Sequence, residues 1–240
     1  MRKLNNDLHW LTGLGAIINA YVWNGDTLLD TGGPLVAHAF FREMRKQGFD
    51  PKGVRNVLLS HCHIDHAGGL MHMHDEVQVY GEGNDLDVLL GKVAAPKYHP
   101  KFGFLVEAVE KLVPAFRFGA HHKANPVADR QLAQGWQAIH VPGHTPGSVC
   151  WYQPETRTLF TGDVLVNHFN WLTGPAPLFT PDYSLAIASL GRLRELDLET
   201  VIFGHGQPLV KDAEKTVRGL IDRLQDQLAR EGEPAWFKAR

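Results

Sequence analysis

Cysteine is scarce in this chain, and neither sign of charge dominates it. The 240 residues include only Cys62 and Cys150, too few for a disulfide framework, so both are expected to remain thiols. With 24 basic and 26 acidic residues the formal net charge is −2. No excess of positive charge therefore favours nucleic acid or an anionic membrane as a partner.

Long apolar runs are also missing. No segment reaches the roughly 20 apolar residues that span a bilayer, and the N-terminal sequence MRKLNNDLHW is not followed by an apolar stretch of signal-peptide length. We therefore expect a soluble, cytoplasmic protein without a membrane partner. A length of 240 residues and an apolar fraction of 44% fit one globular domain over residues 1–240.

Histidine is the abundant residue, with fourteen copies. Residues 61–66 read HCHIDH, one residue after the apolar residues 57–59. Because imidazoles and a carboxylate lose hydration when they are buried without a cation, this density predicts a metal site. His144, Asp163 and His205 each follow a predicted strand farther along the chain. Since strand ends often meet at one sheet edge, we expect all these donors to converge.

The order HCHIDH, His144, Asp163, His205 resembles that of the metallo-β-lactamase-fold hydrolases, which include lactonases and glyoxalase II enzymes. The resemblance spans nearly the whole chain. It implies an α/β fold, a four-layer αββα sandwich of two packed mixed sheets with outer helices, and a dinuclear metal site at one sheet edge. In the ligand set that it implies, the first metal is bound by His61, His63 and His144, the second by Asp65, His66 and His205, and both by Asp163.

These donors suit two divalent metal ions. We predict Zn²⁺, with Mn²⁺ or Fe²⁺ as alternatives. Zinc lowers the pKa of bound water to about 7, and no strong motif for a covalent nucleophile competes. We therefore predict a hydrolase in which a hydroxide shared by the two metals attacks the carbonyl of a small ester, lactone or related acyl substrate. Asp65 is the candidate catalytic residue that orients the hydroxide and passes its proton on.

Other segments predict the scaffold around the site. Asn24-Gly25 between apolar runs predicts a β-hairpin. Leu35, Ala39 and Met44 recur at helical intervals after Pro34 and predict a first surface helix. Residues 93–125 predict an inserted amphipathic helix that could cover the site as a lid.

Several further side chains are candidates for support or substrate contact. Asp30 resembles the acid that buttresses a ligand histidine in this family, with a turn-forming role as the alternative. His72 and His74 lack accompanying metal donors and are predicted to be surface residues. The candidates for substrate contact are one histidine and five aromatic residues: His168, Phe169, Trp171, Phe179, Phe102 and Phe104.

Other functions stay open at this stage. A glyoxalase II-like thioester hydrolase often has a C-terminal helical region for glutathione, and only 35 residues follow His205. The commonest zinc β-lactamases use a cysteine at the second metal, and lactonases often have a tyrosine soon after the bridging aspartate; neither is found here. An iron-dependent persulfide dioxygenase-like oxidoreductase would leave Asp65, His66 and His205 partly idle, and flavodiiron reductases have glutamate in place of His63. A non-catalytic metal-binding scaffold predicts a missing ligand, and none is missing.

Overall fold

A seven-stranded mixed sheet is built from the N-terminal half of the chain. The computed structural model describes residues 1–13, 15–96 and 123–233. The strands lie side by side in chain order: β1 (Arg2–Lys3), β2 (Leu8–Gly13), β3 (Ile18–Trp23), β4 (Thr27–Leu29), β5 (Asn56–Leu58), β6 (Gln78–Gly81) and β7 (Lys123–Pro126). The first four pair antiparallel, and β4 to β7 pair parallel.

A second sheet of five strands comes from the C-terminal half. Its strands are β8 (Leu132–Ala133), β9 (Trp136–His140), β10 (Val149–Gln153), β11 (Thr158–Phe160) and β14 (Thr200–Ile202), in the order β14-β11-β10-β9-β8. β11 and β14 pair parallel, and the other described pairs of this sheet are antiparallel. A separate hairpin is formed by β12 (Val166–His168) and β13 (Trp171–Thr173).

Five α-helices are described. They are α1 (Pro34–Lys46), α2 (Ile64–Ala67), α3 (Gly83–Leu89), α4 (Tyr183–Ser189) and α5 (Ala213–Glu231), joined by short 3-10 helices at Pro51–Gly53, Gly68–His72, Pro177–Phe179 and Leu190–Glu195. Among the described residues, none of these helices combines the length and apolar character needed to cross a membrane.

Alternating side chains in the strands create three apolar layers. In β3, Ala20 and Val22 pack toward α1, whereas Tyr21 faces the second sheet. In β10, Trp151 packs against the first sheet and Cys150 faces the C-terminal helices. This period-two pattern buries both faces of both sheets. The two sheets and their outer helices form the four-layer αββα sandwich predicted from the sequence.

Two sequence predictions about individual elements were wrong. In α1 the buried residues include Ala37, Phe40 and Met44, whereas Leu35 is 88% exposed, so the predicted apolar stripe included a solvent-facing position. Residues 123–125, the end of the predicted helical insertion, belong to strand β7 because they pair with β6. The central part of that insertion, residues 97–122, lies outside the described residues.

Candidate metal centre

The ends of four strands bring the candidate ligands to one edge of the sandwich. The HCHIDH segment follows β5, with its last residues in α2, and His144 follows β9. Asp163 follows β11, and His205 follows β14. The structure places all seven side chains of the predicted set in three overlapping groups: His61, His63 and His144; His61, His66 and Asp163; Asp65, His66 and His205.

Three imidazoles form one half of this centre. The distance from His61 Nε2 to His63 Nδ1 is 3.0 Å, that from His144 Nε2 to His63 Nδ1 is 3.1 Å, and that from His144 Nε2 to His61 Nε2 is 3.3 Å. All three residues are buried. The three nitrogens therefore form a nearly equilateral triangle.

The other half is rich in carboxylate. His66 Nε2 lies 3.2 Å from Asp163 Oδ1 and 3.6 Å from Asp65 Oδ2. His205 Nε2 lies 3.2 Å from Asp65 Oδ2 and 3.2 Å from Asp163 Oδ2. Asp163 Oδ2 is also 3.7 Å from His144 Nε2 in the first half. Asp163 thus lies between the two groups.

The outward-facing nitrogen of four histidines has a partner of its own. His66 Nδ1 bonds to Asp30 Oδ2 at 2.7 Å, and His144 Nδ1 to Thr180 Oγ1 at 3.1 Å. His61 Nδ1 bonds to the hydroxyl of Ser60, and His205 Nδ1 to the carbonyl of Ile17. Partners of this kind fix the orientation of a ligand histidine and direct its second nitrogen at the metal.

Ser60 and Thr180 also decide which ring nitrogen carries the proton. The Ser60 hydroxyl donates to Asp30 at 2.7 Å, and that of Thr180 donates to the carbonyl of Ala176 at 2.8 Å. Each hydroxyl must therefore accept from the Nδ1–H of its histidine. The Nε2 atoms of His61 and His144 consequently point unprotonated lone pairs at each other.

This arrangement fits a bound cation. His63 Nδ1 can donate to at most one of its two neighbours, so hydrogen bonding leaves lone pairs facing one another within the triangle. A tetrahedral zinc ion with Zn–N bonds of about 2.0–2.1 Å needs ligand nitrogens about 3.3 Å apart, and the observed separations are 3.0–3.3 Å. Asp30 lies where the buttressing role predicted for it requires, because its carboxylate accepts from His66 and Ser60.

Burial and neighbouring carboxylates give the histidines of the two halves different protonation states. Burial lowers the pKa of His63 to about 4 and that of His144 to about 3. Burial also acts against a charge on His205, but the adjacent Asp163 carboxylate and hydrogen bonds to Asp163 and Asp65 outweigh it and raise the pKa to about 10. The three-histidine half is therefore neutral at pH 7, and His205 is protonated in metal-free protein.

Metal loading should accordingly depend on pH in one half only. His66, whose pKa the carboxylates of Asp163 and Asp65 raise despite its burial, must lose a proton together with His205 before the acid-rich half can bind a cation. We expect the second equivalent of zinc to release about two more protons than the first. Its affinity should rise with pH between 6 and 8. Calorimetric titration of chelator-treated protein in two buffers of different ionisation enthalpy measures this, and equal proton release for both equivalents would contradict it.

A residue that the sequence analysis missed joins two of the ligand loops. Asp85 in α3 is buried, and its carboxylate accepts from Cys62 N at 2.8 Å, Thr145 Oγ1 at 2.7 Å and Gly147 N at 2.9 Å. Burial raises the pKa of Asp85 in spite of these donors. Cys62 lies next to His61 and His63, and Thr145 next to His144. Asp85 therefore positions both loops of the three-histidine half.

The glycines on either side of His205 are sterically required. A Cβ atom on Gly204 would lie 2.4 Å from His66 Cε1 and 2.8 Å from Asp163 Oδ1. One on Gly206, which has a φ of +95°, would lie 1.9 Å from the carbonyl oxygen of Asn167. The motif GHG therefore allows the His205 loop to pack directly against the other ligands.

A cavity of about 560 Å³ opens beside the acid-rich half. Its lining includes four of the candidate ligands, His63, Asp65, Asp163 and His205. Of the candidates for substrate contact, His168 and Phe179 line the cavity. Phe169 and Trp171 lie on the exposed end of the β12–β13 hairpin and do not line it. Phe102 and Phe104 lie outside the described residues.

The remaining histidine predictions concern positions away from this centre. His72 is exposed at the end of a 3-10 helix, with Nε2 bonded to the carbonyl of Pro34. His74 bonds to the carbonyl of Val54. Neither belongs to a group of three or more metal-ligating side chains among the described residues. Cys62 packs in the apolar core on the outer side of the first sheet.

Comparison with known protein families identifies the class to which a protein with this fold and these clustered donors belongs. The sequence matches the Metallo-beta-lactamase superfamily over residues 16–205. The chain therefore belongs to the metallo-beta-lactamase superfamily.

Individual relatives support this membership. YflN from Bacillus subtilis (strain 168), a "Probable metallo-hydrolase", is 28% identical over 216 residues, which cover 82% of this chain and 81% of YflN. GloC from Haemophilus influenzae, a hydroxyacylglutathione hydrolase, is 31% identical over 157 residues, which cover 62% of this chain and 68% of GloC. The crystal structure of the metallo-beta-lactamase family protein TTHA1429 from Thermus thermophilus has the same fold, with a TM-score of 0.67, 20% identity, and coverage of 95% of this chain and 82% of that one.

Proposed function

We propose that this protein is a zinc-dependent hydrolase of small, uncharged esters or lactones. One observation carries the proposal. The cavity at the metal centre exposes its candidate ligands at one end and has otherwise largely apolar walls, with contributions from Ile17, Val166 and Leu224. A site of this size that combines an apolar wall with a few convergent polar groups is typical of small-molecule binding.

In this proposal His61, His63 and His144 hold one zinc ion, Asp65, His66 and His205 hold the other, and Asp163 contacts both. Bound zinc supplies a hydroxide at neutral pH and polarises a carbonyl group. Burial acts against a charge on Asp65, but the charge of His66 and the hydrogen bond from His205 together outweigh it and hold the pKa of Asp65 below its usual range, so that Asp65 is a carboxylate at pH 7. Its side chain is 35% exposed toward the cavity. Asp65 can therefore accept the proton of an attacking nucleophile.

The preference for an uncharged substrate follows from the charges in the cavity. Among the described residues that line it there is no lysine or arginine. Glutathione carries two carboxylates and one ammonium group, and carboxylates are usually recognised by ion pairs with arginine or lysine. The described wall offers no such partner. This favours esters and lactones over the type of thioester named for GloC.

A substrate panel tests the proposal. We expect the zinc form to hydrolyse an aryl ester and a γ-lactone with a kcat/KM at least about tenfold higher than a hydroxyacylglutathione or a penicillin, a difference of about 1.4 kcal/mol in transition-state stabilisation. The manganese and iron forms serve as comparisons.

Each competing function predicts its own outcome in that panel. Faster turnover of the glutathione thioester would replace the proposal with thioester hydrolysis, and faster turnover of penicillin with β-lactam hydrolysis. Oxygen consumption with a persulfide by the iron form alone would indicate an oxidoreductase. Loss of every activity in protein that retains two zinc ions would indicate a metal-binding scaffold.

A further inference from the structure

The β12–β13 hairpin extends one wall of the cavity into solvent. Val166, His168 and Thr173 line the cavity. In the register of the hairpin, Val166 pairs with Thr173 and His168 pairs with Trp171. Directly paired residues on antiparallel strands project from the same face. Trp171 therefore continues the cavity-facing side of the hairpin beyond His168.

The opposite face of the hairpin is anchored to the protein. The backbone N–H of Asn167 donates to the carbonyl of His205 at 3.1 Å, and its side-chain amide donates to the carbonyl of Gln207 at 2.7 Å. Leu172 packs against the core of the second sheet. The Trp171 face is thus held in a fixed position relative to the loop that carries His205, which lowers the entropic cost of binding a ligand there.

The tip of the hairpin has exposed aromatic side chains and a strained backbone, which both destabilise the folded protein. Trp171 is 76% exposed and Phe169 is 94% exposed. Phe169 and Asn170 form the turn with φ values of 52° and 64°. Asparagine tolerates this conformation, but a bulky residue such as phenylalanine rarely adopts it. Exposed aromatic side chains and a strained turn beside a cavity are features of binding surfaces.

We propose that the face formed by His168 and Trp171 binds an extended apolar group of the substrate, either an alkyl chain or an aryl ring. This inference rests on the proposed function, because it assigns the apolar part of the ester or lactone whose carbonyl lies at the metal centre. His168 contacts the group near the carbonyl, and Trp171 contacts its far end.

Charge and area favour a substrate group over a larger partner. No lysine or arginine occurs between Arg157 and Arg192, so this part of the chain has none of the basic residues that attract anionic lipid. Two exposed aromatic side chains offer roughly 300 Å², well below the roughly 800 Å² per partner of a stable protein interface. Because the face formed by His168 and Trp171 is continuous with the cavity, a group of the substrate is the occupant that fits it.

A series of p-nitrophenyl esters from acetate to octanoate tests this inference. In the wild-type protein, kcat/KM should rise with chain length. In the Trp171→Ala variant, kcat/KM for the octanoate should fall about tenfold, whereas kcat/KM for the acetate should change by less than about twofold. Only the longer chain reaches Trp171. Leu132→Ala, which truncates an exposed apolar residue on β8 outside the cavity lining, is the matched control and should leave the profile unchanged.

Binding without turnover separates this inference from the proposed function. 2-Decanone has a carbonyl and a long chain but no leaving group, and its Kd should be about tenfold weaker for Trp171→Ala. Ketone binding that depends on Trp171, without hydrolysis of any ester, would support the apolar subsite and overturn the ester hydrolase. If the wild type and Trp171→Ala hydrolyse the esters with the same dependence on chain length, or if kcat/KM falls equally at every length, the apolar subsite is overturned and the ester hydrolase is not. A Trp171-dependent dimer in sedimentation, or pelleting with phosphatidylcholine vesicles, without a chain-length effect would also overturn it.

Discussion

Replacement of His63 by alanine is expected to remove bound zinc and hydrolytic activity together. His63 Nδ1 is the corner of the triangle that lies 3.0 Å and 3.1 Å from its two partners, so its loss leaves two ligand nitrogens in that half. Without the metal, several kcal/mol of transition-state stabilisation disappear, which corresponds to a loss of about 10³-fold or more in kcat/KM. Zinc per chain by mass spectrometry and the rate of ester hydrolysis are the two measurements.

His72→Ala is the matched control for that experiment. His72 is also a histidine of the same region, but it is exposed; its Nε2 bonds to the backbone carbonyl of Pro34 at 2.9 Å and its ring lies against that of His38. Its zinc content and activity should stay within about twofold of the wild type, because isolated surface substitutions have small effects. Equal losses in the two variants would show that the metal centre is somewhere else.

The second large effect is expected at Asp85. Asp85→Asn keeps the shape of the side chain, but its N–H₂ group replaces one of the two carboxylate oxygens, so either the N–H of Cys62 or that of Gly147 loses its acceptor. A buried donor without an acceptor costs about 1–3 kcal/mol, so we expect a loss of about 2 kcal/mol in the free energy of unfolding. Since displaced ligand loops weaken the three-histidine half, zinc affinity should fall by about 10-fold to 100-fold.

Asp87→Asn on the same helix separates this role from a general effect of charge. Asp87 is partly exposed and forms a surface ion pair with Lys92 at 2.8 Å, and such pairs contribute little to stability. Its melting temperature and zinc affinity should match the wild type. If Asp85→Asn also leaves zinc affinity unchanged while stability falls, Asp85 supports the fold without positioning the ligands.

The sequence was most informative where chemistry is dense and least informative where support comes from single residues. The convergence of metal-ligating side chains was predictable because no ordinary packing role explains HCHIDH after a buried strand. Asp85 was not, since one aspartate in a short helix has no distinguishing pattern, and its donors lie 23 and 62 residues away. The carbonyl of Ile17 beside His205 cannot be read from side-chain identity at all.

Local patterns also failed in identifiable ways. The β12–β13 hairpin was missed because its turn is Phe169-Asn170, whereas the Asn24-Gly25 hairpin has the residues that such turns prefer. Leu35 was assigned to the apolar stripe of α1 by its type and spacing, but the first turn of this helix exposes it. The glycines beside His205 were visible in the sequence, but the reason for them needed the structure.

The wide spacing of the donors along the chain links metal binding to the integrity of the whole protein. One triad joins His61 to His144, and another joins Asp65 to His205, so an ion bound by either triad would act as a cross-link that closes a large loop between the two sheets. An unfolded chain cannot offer these donors together, so zinc bound as proposed would favour the native state by mass action. Zinc limitation would then shorten the lifetime of the protein and also lower its activity.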